Sequence, residues 1–107
     1  MISLFIEDFE FATYVSKKLI ELKREVQFCK ITDDILDSAE LIIVDLDNRQ
    51  FGNKLFISQL QNNGYNIKVI GFMKYVRKEL YNNFKEAGCS MILPRSSLVT
   101  NLSSLVI

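Results

Sequence analysis

Three carboxylates stand at the ends of two apolar runs. Glu7 and Asp8 close Ile2-Ser3-Leu4-Phe5-Ile6, and Asp45 closes Leu41-Ile42-Ile43-Val44. Carboxylate oxygens together hold a hard divalent cation such as Mg²⁺, and a carboxylate whose charge is offset can act as a nucleophile toward a phosphoryl group. That chemistry requires the three side chains to meet. If the two runs are neighbouring parallel strands, their carboxyl ends open onto the crevice where α/β sheets bind ligands, and Glu7, Asp8 and Asp45 converge there.

Composition excludes several other chemistries. The chain has 107 residues, two cysteines and no histidine. The usual zinc spacings and the Cys-His and Ser-His nucleophile pairs are therefore absent. Cys29 and Cys89 read as free, partly buried thiols. No Gly-rich phosphate loop occurs, which together with the missing histidine argues against an independent metabolic enzyme. Hydrophobic residues make up 49% and charged residues 24%, and no apolar run approaches the roughly 20 residues that span a bilayer. Nothing in the first residues resembles an export signal, so a cytoplasmic protein without a membrane partner is expected. Net charge is zero but unevenly spread. Residues 1–53 carry eleven acidic against six basic side chains, and residues 54–107 two against seven, which leaves minus five and plus five. Whether folding keeps those charges apart or mixes them is open at this level.

The elements that must position the carboxylates follow from periodicity. Phe11, Ala12, Val15, Leu19, Ile20 and Leu22 recur largely at helical spacing with lysines between them, predicting a helix from about Phe9 to Arg24 with Asp8 as its cap. Glu25 to Lys30 alternates as a short strand, with Val26 and Phe28 on one face and Gln27 and Cys29 on the other. Asp33 to Ala39 is a short helix at most. Leu41 to Val44 reads as a central strand covered on both faces. Leu55, Phe56, Ile57 and Leu60 mark a helix stopped by Asn62-Asn63-Gly64. Lys68 to Phe72 is a further buried strand, in which Gly71 marks a close backbone approach. Lys78 to Ala87 reads as a helix ended by Gly88, Met91 to Leu93 as a last strand, and Ser96 or Ser97 as the cap of a final helix through Val106. Strands alternating with helices predict a single domain over residues 1–107. Its class is α/β: a flavodoxin-like, doubly wound sheet of five parallel strands in the order 2-1-3-4-5, with helices on both faces in a three-layer α/β/α arrangement.

On these residues the chain resembles the receiver domain of bacterial two-component response regulators, over essentially its whole length. Glu7 and Asp8 in Phe5-Ile6-Glu7-Asp8-Phe9 match the acidic pair that ends the family's first strand. Asp45 in Ile42-Ile43-Val44-Asp45-Leu46 matches the phosphoryl-accepting aspartate, and Ala87-Gly88-Cys89-Ser90-Met91-Ile92-Leu93-Pro94-Arg95 resembles the segment running into the family's lysine. The resemblance implies Mg²⁺ held by Glu7, Asp8 and Asp45, and phosphoryl transfer from a histidine kinase to Asp45 with Arg95 as the nearby cation. Three positions depart from the pattern. Arg95 stands where the family has lysine, with Pro94 before rather than after it. Met73 takes the place of a Thr or Ser whose hydroxyl bonds the phosphoryl group, and Ile92 stands where an aromatic switch residue often sits.

Two functions follow from that balance. One is a signalling receiver phosphorylated on Asp45. The other is a degenerate receiver, a protein-interaction module independent of phosphorylation, in which Arg95 pairs directly with Asp45 and takes the cation's place. Asp47 reads as a solvated loop acid. The interleaved Met73-Lys74-Tyr75-Val76-Arg77-Lys78 reads as a solvated loop or a protein-binding patch rather than a nucleic-acid site.

Overall fold

Along each central strand, odd and even residues enter different cores. In the computed structural model, which describes residues 1–61 and 67–106, strand β1 (Ile2–Phe5) sends Ile2 and Leu4 to one face and Phe5 to the other. Strand β3 (Leu41–Asp45) likewise sends Leu41 and Ile43 one way and Ile42 and Val44 the other. Every residue of both strands is buried, which is why these runs are continuously apolar instead of alternating with polar residues. Strand β2 (Val26–Phe28) lies at one edge, and β4 (Lys68–Met73) and β5 (Met91–Pro94) complete the other side. The order is β2-β1-β3-β4-β5 and all pairings are parallel. This is the expected flavodoxin-like sheet.

Helix α1 (Phe9–Glu21) covers one face with Ala12, Val15 and Leu19, helped by Leu98 of α4 (Arg95–Thr100) and Leu102 of α5 (Leu102–Leu105). Helices α2 (Lys54–Gln61) and α3 (Lys78–Ala87) cover the other face with Phe56, Ile57, Leu60 and Phe84. Each fully buried aliphatic or aromatic side chain in these layers contributes roughly 1.5–3 kcal/mol. The three layers are thus both the source of stability and the frame that holds the strand ends in place.

The expected boundaries need four corrections. Helix α1 ends at Glu21 and not near Arg24, because Lys23 turns into the left-handed region at φ 62°. The Arg24 amide then donates back to the Leu19 carbonyl at 3.0 Å, closing the helix end in the manner usually reserved for glycine. The β2–β3 crossover holds only a 3₁₀ turn, Thr32–Asp34. Asp34 accepts from the Lys30 and Ile31 amides, which holds its carboxyl below the usual aspartate range. Neither Ser96 nor Ser97 caps the final helix, which instead starts at Arg95 directly after Pro94 and breaks at Asn101 into α4 and α5. Strand β4 extends to Met73 and β5 to Pro94. The predicted helix stop at Asn62-Asn63-Gly64 lies outside the described residues.

Gly71 does mark a close approach. A Cβ there would come within 2.5 Å of Leu46 Cδ1 and 3.4 Å of Cys89 Sγ. Both cysteines are buried free thiols, and desolvation pushes Cys29 up to about 11 and Cys89 up to about 12. The left-handed Lys23 makes a testable weak point, since this conformation costs a residue with a Cβ on the order of 1 kcal/mol. Lys23→Gly is expected to stabilise the fold by about 0.5–1 kcal/mol in urea denaturation; a loss of stability would show that the turn is held by the lysine side chain instead.

Candidate functional site

The carboxyl ends of β1 and β3 are adjacent, because Phe5 pairs with Val44 and the chain then runs one step further to Asp45 on β3 and three to Asp8 after β1. Asp8 caps α1, its Oδ1 accepting from the Phe11 amide at 3.2 Å. Asp45 is buried with only 6% of its surface exposed, and its Oδ1 accepts from the Asp47 amide at 3.0 Å. The cation between the two is Arg95. One guanidinium nitrogen lies 3.5 Å from Asp8 Oδ2 and another 3.9 Å from Asp45 Oδ2.

Arg95 reaches that position because Pro94 ends β5 beside Met73 of β4 and α4 begins at once. Its guanidinium lies over two rings on the α1 side of the sheet, with its central carbon 4.3 Å from the centre of Phe11 and 5.7 Å from that of Phe72. A planar, weakly hydrated cation stacks on such faces where a compact ammonium would keep more of its water. Nε is buried and has no hydrogen-bond partner among the described residues. The rings and the two carboxylates together therefore offset a real desolvation cost.

Burial dominates the electrostatics of Asp45. It raises the carboxyl pKa above the ordinary value of 3.8, and the Asp47 amide and the Arg95 charge only partly oppose it. Folding therefore disfavours the ionised form even with an arginine nearby.

Glu7 does not join this arrangement. Its exposed side chain accepts from the Asn48 side-chain amide, and Asn48 Oδ1 in turn accepts from the amides of Gln50 and Phe51 at 2.9 and 3.2 Å. Among the described residues no group of three or more Cys, Asp or Glu side chains is placed to hold a metal ion. The expected set Glu7, Asp8 and Asp45 is brought to one end of the sheet, where the Arg95 guanidinium stands between Asp8 and Asp45 and Glu7 turns to Asn48.

Two further expectations can be placed. Met73 is fully buried in the core beneath α2 and α3, on the opposite sheet face from Phe72 and the Arg95 site, so its side chain belongs to packing. Ile92 is buried in the same core. Several contributors were not foreseen. Asp47, read as a solvated loop acid, accepts from the Lys74 amide at 2.7 Å and ties the β3–α2 loop to the β4–α3 loop. The Asp-Asn pair at 47 and 48, a turn-forming combination, was the available signal. Gly52 closes the same loop: its amide donates to the Asn48 carbonyl at 2.7 Å, and a Cβ would fall 2.0 Å from the Leu46 carbonyl oxygen. The Phe11 and Phe72 platform had no sequence signal, since each residue reads locally as ordinary core. A separate pocket of about 430 Å³ on the β2 side of Glu7 is lined mainly by Ile6, Phe9, Phe28 and Phe51 and is apolar in character.

No protein-family model matches the chain, and no curated protein matches its sequence. Its backbone does match solved structures. A response regulator from Thermotoga maritima superposes with a TM-score of 0.78 at 17% identity, covering 98% of this chain and 95% of that one. An orphan response regulator of H. pylori gives a TM-score of 0.78 at 13% identity over 99% of this chain and 95% of that one. A response regulator from Burkholderia pseudomallei, crystallised with a phosphorylated aspartic acid, calcium ion and citrate, gives 0.75 at 16% identity over 97% of this chain and 69% of that one. The fold is therefore that of response-regulator receiver domains, with the flavodoxin-like strand order they share.

The raised Asp45 pKa gives a signed prediction. A folded state that holds its proton to higher pH than the unfolded chain loses stability as pH rises through that interval, and the loss persists above it. Asp45→Asn keeps an acceptor for the Asp47 amide and removes the titration. The variant is expected to be more stable than the parent at pH 7, by thermal denaturation, with the advantage shrinking below the ordinary aspartate value of 3.8. A variant less stable at pH 7 would mean that the Arg95 pair outweighs burial.

Proposed function

We propose that this receiver-fold chain is a signalling module that acts through protein association, without phosphorylation of Asp45. The observation that carries the reading is Arg95, stacked on Phe11 and Phe72 and pointing between Asp8 and Asp45. A cation built into the chain replaces one that would have to be bound, and it stands beside the carboxylate that would otherwise accept a phosphoryl group. Glu7, committed to Asn48, and Met73, packed in the core without a hydroxyl, support the same reading. The partner in this view is another signalling protein, and the protein works inside the cell.

A second reading is favoured by one specific observation, the placement of Asp8 and Asp45 at adjacent ends of β1 and β3. In it, a histidine kinase donates a phosphoryl group to Asp45 with Mg²⁺ present. The guanidinium would then have to leave the two carboxylates and give up its aromatic platform, and Glu7 would have to release Asn48.

Incubation with acetyl phosphate and Mg²⁺, followed by intact-mass measurement, separates the two. We expect no phosphoryl adduct on the parent chain under conditions that label a competent receiver. An adduct that disappears in Asp45→Asn would overturn the association-only reading. Arg95→Lys, which restores a compact ammonium, provides the matching gain test: it is expected to admit Mg²⁺ more readily than the parent in a calorimetric titration.

A further inference from the structure

On the side of α1 facing away from β2, an open groove of about 680 Å³ runs between α1, the β4–α3 loop and the start of α4. Its lining combines rings and cations: Phe11 and Tyr14 from α1, Lys74 and Tyr75 from the loop, Arg95 and Val99 from α4. A cation lies near three of these rings. Lys18 Nζ is 5.7 Å from the centre of Tyr14, Lys74 Nζ is 5.8 Å from Tyr75, and the Arg95 guanidinium is 4.3 Å from Phe11. Tyr75 is 73% exposed and Tyr14 is 44% exposed. Tyrosine on a surface offers a rigid apolar body with a polar tip, the type of side chain enriched at protein interfaces.

Two cations line the groove, Lys74 and Arg95, and Lys18 stands beside it over the Tyr14 ring. Among the described residues Lys18, Lys74, Arg77 and Lys78 form no ion pair, whereas Arg95 turns inward to Asp8 and Asp45. Lys74 to Lys78 are all exposed. A cationic rim around apolar walls steers and holds a partner of opposite charge that also carries an apolar group.

We propose that this groove docks an acidic segment of a partner protein, one aromatic or aliphatic side chain of which packs against Phe11, Tyr14 and Val99 while its carboxylates meet Lys18, Lys74 and Arg95. The proposal rests on the association reading above and names the chemistry of the partner. Nucleic acid fits less well. Asp47 sits at the rim bonded to the Lys74 amide, and Asp8 lies directly behind Arg95, so the cations are isolated points and not the continuous track that a phosphate backbone follows. Arg95 also joins the groove to the acid site. A guanidinium has five N–H donors, so a partner carboxylate can bond the groove side of the same group that Asp8 and Asp45 face from within.

The probe is an acetylated peptide of alternating glutamate and phenylalanine, titrated into the 107-residue chain and followed by backbone amide NMR, beside its lysine–phenylalanine counterpart and an oligothymidylate. Saturable shifts are expected at Tyr14, Lys74, Tyr75 and Val99, weakening as salt is raised. Lys74→Glu is expected to reduce affinity about tenfold and Tyr75→Ala about fivefold, through lost and reversed charge and a lost ring. Lys30→Glu, on the other side of α1, is expected to leave affinity unchanged. Equal binding of the lysine peptide, preference for the oligonucleotide, shifts confined to other surfaces, or no binding of the glutamate peptide would each overturn the proposal. The acetyl phosphate experiment is independent of these outcomes: failure of the peptide with no adduct on Asp45 ends the groove assignment alone, whereas an adduct lost in Asp45→Asn ends the reading beneath it.

Discussion

A single guanidinium organises the carboxyl end of this sheet. Arg95 rests on Phe11 and Phe72 and faces Asp8 and Asp45, so four elements meet through it: the β1–α1 junction, β3, β4 and the β5–α4 junction. Its cost is also concentrated there, because Nε is buried without a partner among the described residues and Asp45 is itself held mostly away from water. Such an arrangement persists only where packing over-determines it. The aromatic platform, itself part of the core between the sheet and α1, supplies that packing.

The surrounding loops are built to the same end. Asp47 bonds the Lys74 amide, Asn48 bonds Glu7 and two amides of its own loop, and Gly52 lets the chain pass close to the Leu46 carbonyl. These contacts hold the β1–α1, β3–α2 and β4–α3 connections to one another across the strand ends. The Lys74 side chain lines the groove beside Tyr14 and Tyr75. The inner side of the site thus sets one guanidinium against two carboxylates, while its outer side presents rings and a lysine on an open surface.

Receiver geometry constrains function less than the residues placed on it. The fold is shared with structures of 13–17% identity, one of them crystallised with a phosphorylated aspartate and a calcium ion. A doubly wound sheet delivers its strand ends to one crevice whatever side chains they carry. In this chain the crevice holds an arginine between two carboxylates, beside a glutamate bonded to an asparagine, while Met73 is packed in the core on the other face of the sheet.

The strands and their order were legible because their causes are local and repetitive. Leu41 to Val44 is apolar at every position, Phe11 to Leu19 repeats at helical spacing, and Asp8 stands where a cap belongs; each signal lies within a few residues of the element it specifies. Parallel pairing followed, since helical crossovers leave few topologies for five strands. The break of the last helix at Asn101 and the left-handed turn at Lys23 escaped notice, because neither residue is the glycine that normally announces such a turn. The acid site divides in the same way. Strand ends in the sequence brought Asp8 and Asp45 together, the receiver resemblance added Arg95, and its direct pairing with Asp45 stood as one of two outcomes; the contact with Asp8 came only from the structure. Only tertiary structure decided where the Arg95 guanidinium rests, because that depends on whether a long, flexible side chain finds a platform, and Phe11 and Phe72 come together beneath Arg95 only when α1, β4 and α4 pack on one face of the sheet.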